Sequence, residues 1–351
     1  MPTLRDLGEF EVLRRLIAAR PAPSRPGDPR AGVIVDSGDD AAVLRIAPER
    51  DLVATTDAFV EGEHFLPGWS KPREAGARLA RANLSDLAAM AAEPRWALLS
   101  VGARGASDLD DLLAFQSGLA DAMAELGAAL VGGNLTAATG AAWYSLTLLG
   151  TCERGRAWTR FGARPGDLLA ATGSIGRAGA AVRLARAREA EAREPRWAPL
   201  MRSWLAPAAR VALALALRGT DAVTAAIDVS DGFAGDLAHL CEASGVGAEV
   251  EEAAWPADPL IDEAAAVLGL GADAIRFGPS DDYELLLAID PAGRPDCERA
   301  AAALGVPLAF VGRFTGAPDL ITLRSRRREG ATGTVVRPLA GAGYDHFGDH
   351  R

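Results

Sequence analysis

Strand-like apolar runs alternate with helix-like periodicity along nearly the whole chain, and this alternation narrows the possible folds more than any other feature. Residues 51–59 (DLVATTDAF) read as a strand ending in an acid. Residues 71–92 carry Leu79, Leu84, Leu87 and Met90 at helical spacing and read as one long helix. Strand 96–102, helix 107–126, strand 128–133 and strand 142–151 follow. A second series runs from strand 167–172 through helix 176–190, helix 207–218, strand 223–229, helix 232–243, strand 247–251, helix 259–268, strand 284–289 and helix 294–304 to strand 308–313. Such alternation implies an α/β protein with α+β-type layers. At 351 residues the chain exceeds one ordinary core, so two domains are expected. The composition turns to Arg and Gly over 151–166, which places the junction there. The expected domains are 1–150 and 151–329, with 330–351 as a Gly-rich tail. Residues 4–19 read as an amphipathic helix, 20–32 as a loop rich in Pro, Gly and Arg, and the charged stretch 185–199 as a solvated helix end or insertion.

Composition removes several function classes. The formal charge is −10, and non-specific nucleic-acid binding needs a cationic face, so no nucleic-acid partner is expected. Cys152, Cys241 and Cys297 form no CxxC pair, which excludes a disulfide scaffold and a cysteine zinc site and suits a reducing cytosol. The four histidines form no HExxH pair. Lys71 is the only lysine, in the unpromising context Ser70-Lys71-Pro72, so a phosphate-loop lysine or Schiff base has almost no candidate. The start of the chain has no uninterrupted apolar region, and the most apolar stretch, 211–217, is far shorter than the roughly 20 residues a spanning helix needs. A cytoplasmic location without a membrane partner is expected.

Five acidic turns carry the chemistry: Gly38-Asp39-Asp40, Thr55-Thr56-Asp57, Asn83-Leu84-Ser85-Asp86, Asp228-Val229-Ser230-Asp231-Gly232 and Ser280-Asp281-Asp282-Tyr283-Glu284. Ligands of α/β proteins gather at the carboxyl ends of strands. Carboxylates converging there repel one another unless cations neutralise them. Mg²⁺ takes one or two carboxylates plus phosphate oxygens and water, so several such ions would let an acidic, lysine-poor chain hold polyphosphates. Each turn also has a plain reading. Asp39-Asp40 and Asp231 taken alone read as caps. Asp86 is different, since a polar residue inside an apolar helical run needs a reason. Asp228 and Ser230 share one face of a strand end. Their joint occurrence in two α/β halves favours a multi-metal phosphate site.

The glycine motifs are weaker. Gly132-Gly133-Asn134 ends a strand and lets backbone approach a ligand, and Thr172-Gly173-Ser174-Ile175-Gly176 precedes a helix whose N-terminus could face phosphate. Neither is a Walker A loop or a clean GxGxxG, and each alone reads as a tight turn.

Together, GEF (8–10), SGDDAAVL (37–44), TTD (55–57), EGEHF (61–65), ANLSDLAAMAA (82–92), GGN (132–134), GRAWTRFGARPGD (155–167), ATGSIG (171–176), IDVSDGFAGDLAHLCEASGVGA (227–248), DDYELL (281–286) and GYDHF (343–347) resemble the thiamine-monophosphate kinase family, within the superfamily of aminoimidazole-ribonucleotide synthetase. The resemblance spans residues 8–347. It implies ATP-dependent phosphorylation of thiamine monophosphate to thiamine diphosphate on a two-domain PurM-like fold. In that fold the N-terminal sheet pairs with that of a second subunit to form a barrel, so a homodimer is implied. It also implies that Asp40, Thr55, Thr56, Asp57, Asp86, Asp228 and Asp231, joined by Asn134, hold several magnesium ions. Gly133, Asn134, Arg160 and Ser230 would contact ATP, and His64, Asp281 and Tyr344 the thiamine substrate. Asp57, Asp86, Asp228 and Arg160 would carry the catalysis. Residues 20–32, with Arg20, Arg25 and Arg30, read equally as a lid or a solvated linker.

Two departures from the family pattern bear on substrate choice and turnover. Asn134 stands where the family has Asp after the double glycine, and Gly278-Pro279-Ser280-Asp281-Asp282-Tyr283-Glu284 stands where it has GGEDYE. The alternatives are a superfamily relative acting on another substrate and a non-catalytic paralogue that binds nucleotide or thiamine phosphate.

Overall fold

The computed structural model describes residues 3–7, 9–19, 32–35, 42–66, 68–318, 320–326, 334–339 and 344. The chain divides into two compact units, Met1–Leu87 with Ala92–Ala157 and Ala88–Ala91 with Trp158–Arg351.

The first unit begins with α1 (Leu4–Leu7), α2 (Glu9–Ala18) and the small antiparallel pair β1 (Val33–Val35) and β2 (Val43–Leu44). It continues with β3 (Arg50–Val60), α3 (Pro72–Ala89), β4 (Glu93–Ala103), α4 (Leu109–Ala124), β5 (Ala129–Ala137) and β6 (Trp143–Glu153). The four long strands form a sheet in the order β3-β6-β4-β5, parallel only between β4 and β5. One face is closed by helices: Thr55 of β3 bonds Asp86 of α3, and Tyr144 of β6 stacks on Phe115 of α4. Leu79, Leu84, Leu87, Leu119, Leu146 and Leu148 fill the space between. The two helices cross at backbone distance, since a Cβ on Gly76 would lie 2.0 Å from the Phe115 carbonyl oxygen and one on Gly118 1.9 Å from that of Arg73.

The second unit contains β7 (Leu168–Thr172), α5 (Arg177–Ala187), α6 (Glu189–Ala192), α7 (Ala198–Leu205), α8 (Val211–Arg218), β8 (Val223–Asp228), α9 (Phe233–Ser244) and β9 (Gly247–Glu251). It ends with α10 (Pro259–Leu268), α11 (Ala272–Arg276), β10 (Leu285–Ile289), α12 (Arg294–Ala303), β11 (Leu308–Thr315), β12 (Ile321–Arg326) and β13 (Thr334–Pro338). Its sheet runs β13-β12-β9-β11-β7-β10-β8, parallel only between β12 and β9. Phe233, Leu237 and Leu240 of α9 join Leu286 and Phe314 of the sheet in one core.

The α/β expectation holds as a two-domain protein with two mixed sheets. Several elements differ from their sequence reading. β3 extends the 51–59 reading by one residue at each end, so Asp57 lies inside the strand, and β5 runs four residues past Gly133, because pairing with β6 and β4 continues through both segments. The charged 185–199 stretch is not simply solvated. Ala185, Ala192 and Trp197 are buried, while Arg196 lies over the Trp197 ring and pairs with Glu191, Glu194 and Glu263. β13 lies within the Gly-rich tail, and its strand form comes from pairing with β12. Among the described residues no helix is long and apolar enough to cross a membrane.

Candidate active site

Strand alternation on β3 sorts the acidic residues of the first unit. Thr55, Asp57 and Phe59 face the helices, whereas Ala54, Thr56 and Ala58 are exposed on the other side. The Thr55 hydroxyl donates to Asp86 Oδ2 at 2.5 Å. Asp86 thus finds a polar partner on the sheet, which accounts for a carboxylate in an otherwise apolar helical run. Burial, and then the nearby Asp86 carboxylate, push the Asp57 carboxyl up to about 7. Two acids and a hydroxyl therefore share one partly buried spot where a second negative charge is poorly tolerated.

His64 lies at the same end of the strand face. Its ring stacks on Phe59 with centroids 5.5 Å apart, and its Nδ1 accepts from the Val60 N–H at 3.2 Å, which leaves the ring proton of the neutral form on Nε2. Arg78 of α3 sits 5.0 Å from the centre of the Phe59 ring and donates to the His64 carbonyl. His64 and the Asp57–Asp86 pair are thereby neighbours along one strand–helix seam.

The register puts other candidates elsewhere. Thr56 bonds across to Ser145 and Thr147, and Asn134 pairs with Ser100, which pairs with Ser145. Thr56 and Asn134 thus occupy the sheet face opposite Asp57. Gly133 has a reason internal to the sheet, since a Cβ there would sit 1.9 Å from the Leu99 carbonyl oxygen. Asp40, and residues 20–31 of the loop that reads as a lid or linker, lie outside the described residues.

In the second unit β8 ends at the buried Asp228, and the turn Ser230-Asp231-Gly232 leads into α9. The N–H groups of Ser230, Asp231 and Gly232 all donate to Asp236 Oδ2, at 3.1, 3.1 and 3.0 Å. Asp231 is therefore not the cap: the N-cap position is Gly232, without a side-chain cap bond, and Asp236 reaches back from inside the helix to hold the preceding turn. Burial, then Asp231, push the Asp236 carboxyl up to about 7 against these three bonds. The Tyr344 N–H donates to the Asp231 carbonyl at 3.0 Å, so the tail returns to this turn. Val229 exchanges backbone bonds with the 283–284 segment: Tyr283 N–H to Val229 O at 2.8 Å and Val229 N–H to Glu284 O at 2.7 Å. Asp281 is thus carried on a loop tied to the Asp228 turn. Arg160 is exposed, and its carbonyl accepts from Ser244 at the far end of α9 from Asp231.

Three residues to which the sequence reading gives no individual role hold this region. They are Asp236, the turn clamp; Asp282, which accepts from the Gly176 and Ala178 N–H groups; and Glu284, which pairs with Arg210. The amides of the α5 N-terminus are therefore taken by a side chain rather than left for phosphate. Among the described residues no group of three or more His, Cys, Asp or Glu side chains converges on one point. The donor set is all hard oxygen, at most two carboxylates in one place, which fits magnesium completing its shell with water and phosphate.

Residues 38–152 match the AIR synthase related protein N-terminal domain, and residues 164–323 match the corresponding C-terminal domain. The chain is 33% identical over 346 residues to the thiamine-monophosphate kinase of Escherichia coli O157:H7, covering 97% of this chain and 98% of that one. The chain belongs to the thiamine-monophosphate kinase family. A crystal structure of the family's member from Stenotrophomonas maltophilia K279a superposes with a TM-score of 0.76 at 30% identity, covering 90% of this chain and 96% of that one. A structure of AaThiL complexed with AMPPCP and TMP superposes with a TM-score of 0.70 at 26% identity, covering 91% and 94%.

Proposed function

We propose that this chain transfers the γ-phosphoryl group of ATP to the phosphate of thiamine monophosphate, giving thiamine diphosphate and ADP. The observation that carries this reading is the near-full-length match to the E. coli O157:H7 kinase. The AaThiL complex supports it, because AMPPCP is an ATP analogue bound there together with TMP. The acceptor is a phosphate oxygen already ionised near neutral pH, so no general base is required. What the reaction requires is neutralisation of two anions and their in-line placement.

We assign Thr55, Asp57 and Asp86 as one magnesium-holding set and Asp228 and Asp231 as a second. Asp40, Thr56 and Asn134 are further oxygen donors, with Thr56 and Asn134 outside the Asp57 set because they lie on the other sheet face. Bound magnesium would supply the charge neutralisation that a chain with one lysine lacks. Gly133, Ser230 and Arg160 are assigned to the nucleotide, and His64, Asp281 and Tyr344 to the thiamine end. Residues 1–150 would form the ATP- and metal-binding domain, 151–329 the C-terminal domain, and 330–351 a tail serving the substrate site. The bond from Tyr344 to Asp231 supports that place for the tail.

The test is ADP release with ATP, Mg²⁺ and either thiamine monophosphate or free thiamine. Turnover with the monophosphate well above that with thiamine is expected. ATP use only with another acceptor would sink this reading in favour of a superfamily relative, and binding without turnover would favour a paralogue.

We also propose a homodimer formed through the first unit's sheet. β3 is an edge strand, and its outward face carries Leu52, Ala54 and Ala58, with Leu52 49% exposed. Long exposed apolar edges invite pairing with a second copy. Sedimentation should give about twice the 36.4 kDa chain mass at micromolar concentration, and a 36.4 kDa species would count against the barrel.

A further inference from the structure

Within the run from 280 to 284, four side chains are buried and one is accessible. Ser280, Asp282, Tyr283 and Glu284 are each at most 9% exposed, whereas Asp281 is not buried. The packing around this run is tight. A Cβ on Gly179 would lie 2.5 Å from the Pro279 carbonyl oxygen, and one on Gly232 2.3 Å from that of Gly278. Tyr283 adopts φ +54°, a left-handed backbone that a bulky side chain rarely takes and that costs on the order of 1 kcal/mol or more. Such a conformation persists only where its surroundings hold it, and here both neighbours are fixed. Asp282 Oδ2 accepts from the Gly176 N–H at 2.6 Å and from Ser280 Oγ at 2.7 Å, while Oδ1 accepts from the Ala178 N–H at 2.9 Å. Ser280 Oγ in turn accepts from the Gly179 N–H at 2.8 Å. The cap of α5 is thus supplied by residues about a hundred positions downstream, because its own N-cap residue, Gly176, has no side chain. On the other side Glu284 bonds Thr172 and Arg210. An ordinary cap needs neither a distant segment nor a left-handed tyrosine.

We propose that Asp282, with Ser280, is a positioning residue whose clamp on the first turn of α5 fixes the accessible Asp281 at the thiamine end of the substrate. This rests on the assignment of Asp281 to the substrate made above. The clamp trades a possible anion site at the helix end for a rigid platform. Asp281 then meets the substrate without the loop having to order itself on binding.

The experiment compares Asp282→Ala, Asp282→Asn, Asp281→Ala and the Asp281→Ala/Asp282→Ala double variant by steady-state kinetics, varying thiamine monophosphate and ATP separately. Asp282→Ala should raise KM for thiamine monophosphate at least tenfold while KM for ATP moves less than twofold. Asn keeps one acceptor oxygen but sets its NH2 against the other backbone amide, so Asp282→Asn should recover only part of the lost affinity. The double variant should be no worse in that KM than Asp281→Ala alone, because the clamp acts through Asp281. A purely structural role would lower the active fraction and hence apparent kcat, leaving both KM values unchanged, and that result would overturn the proposal. Additive effects in the double variant would overturn it as well. If Asp281→Ala leaves KM for thiamine monophosphate untouched, the substrate assignment itself is wrong and the proposal falls with it. The separate response of Asp282→Ala tells these failures apart.

Discussion

Replacing Glu284 with alanine is expected to destabilise the protein by about 3–5 kcal/mol, the usual cost of leaving one partner of a buried ion pair alone. Arg210 Nε lies 2.6 Å from Glu284 Oε2 and Arg210 Nη2 lies 2.5 Å from Oε1, a two-pronged pair with the side chains only 16% and 8% exposed. Glu284 Oε2 also takes the Thr172 hydroxyl at 2.6 Å, and that hydroxyl accepts the Leu285 N–H at 2.8 Å. One carboxylate therefore joins the end of β7, the start of β10 and the segment before α8. Gly173 is a glycine for the same reason, since a Cβ there would lie 1.8 Å from Glu284 Oε1. Removing the carboxylate strands a guanidinium and a hydroxyl together. Thermal unfolding should show a fall on the order of 10 °C for a unit of this size. Glu298→Ala is the control: its pair with Arg294 joins side chains 49% and 47% exposed at i,i+4 spacing, so its loss should cost about 0.5 kcal/mol or less. Equal melting shifts in the two variants would refute the argument from burial. The Arg210→Met/Glu284→Leu double variant should lose much less than Glu284→Ala, because no charge is then left unpaired.

The contrast between these two pairs also explains what could be read from the sequence. The Arg294–Glu298 pair is local and follows from helical spacing alone. The Arg210–Glu284 pair joins residues 74 positions apart and leaves no periodic trace. The same division runs through the candidate site. Asp86 was legible because an acid in the run LSDLAAM conflicts with its apolar neighbours. Asp57 was legible as an acid in a strand over 51–59, and pairing with β6 adds only one residue at each end of that strand. Local pattern could not reveal that Thr56 and Asn134 lie on the other face from Asp57, since that depends on register across three pairs of strands. The cap of α5 by Asp282 and the clamp by Asp236 were missed for different reasons. The first is a contact across more than a hundred residues. The second reverses the usual direction, with a helical side chain reaching back to the turn before it. The strand β13 had no apolar alternation to reveal it, and all five of its residues are exposed.

Asp57→Asn should separate function from stability more sharply than any other single change. Asp57 and Asp86 face each other on the Thr55 side of β3, and burial and mutual repulsion both disfavour the charged pair. In metal-free buffer the asparagine variant carries one charge fewer at a partly buried spot, so it should melt at the same temperature as the parent or higher. Catalysis should move the opposite way. For each unit of positive charge on a bound magnesium ion, losing a carboxylate charge about 4 Å away is worth roughly 4 kcal/mol at an effective dielectric constant near 20. That corresponds to a fall in kcat on the order of 10³-fold. A carboxylate poorly tolerated in the empty fold is retained only if something else compensates for it, and a bound divalent cation would do so. The two readouts together decide the matter. A variant that melts no lower than the parent and has lost its turnover places Asp57 at the reacting centre. Full turnover in Asp57→Asn would remove Asp57 from the magnesium set. A fall in melting temperature matching the fall in activity would instead make the residue part of the framework, with the magnesium set to be sought at Asp228 and Asp231.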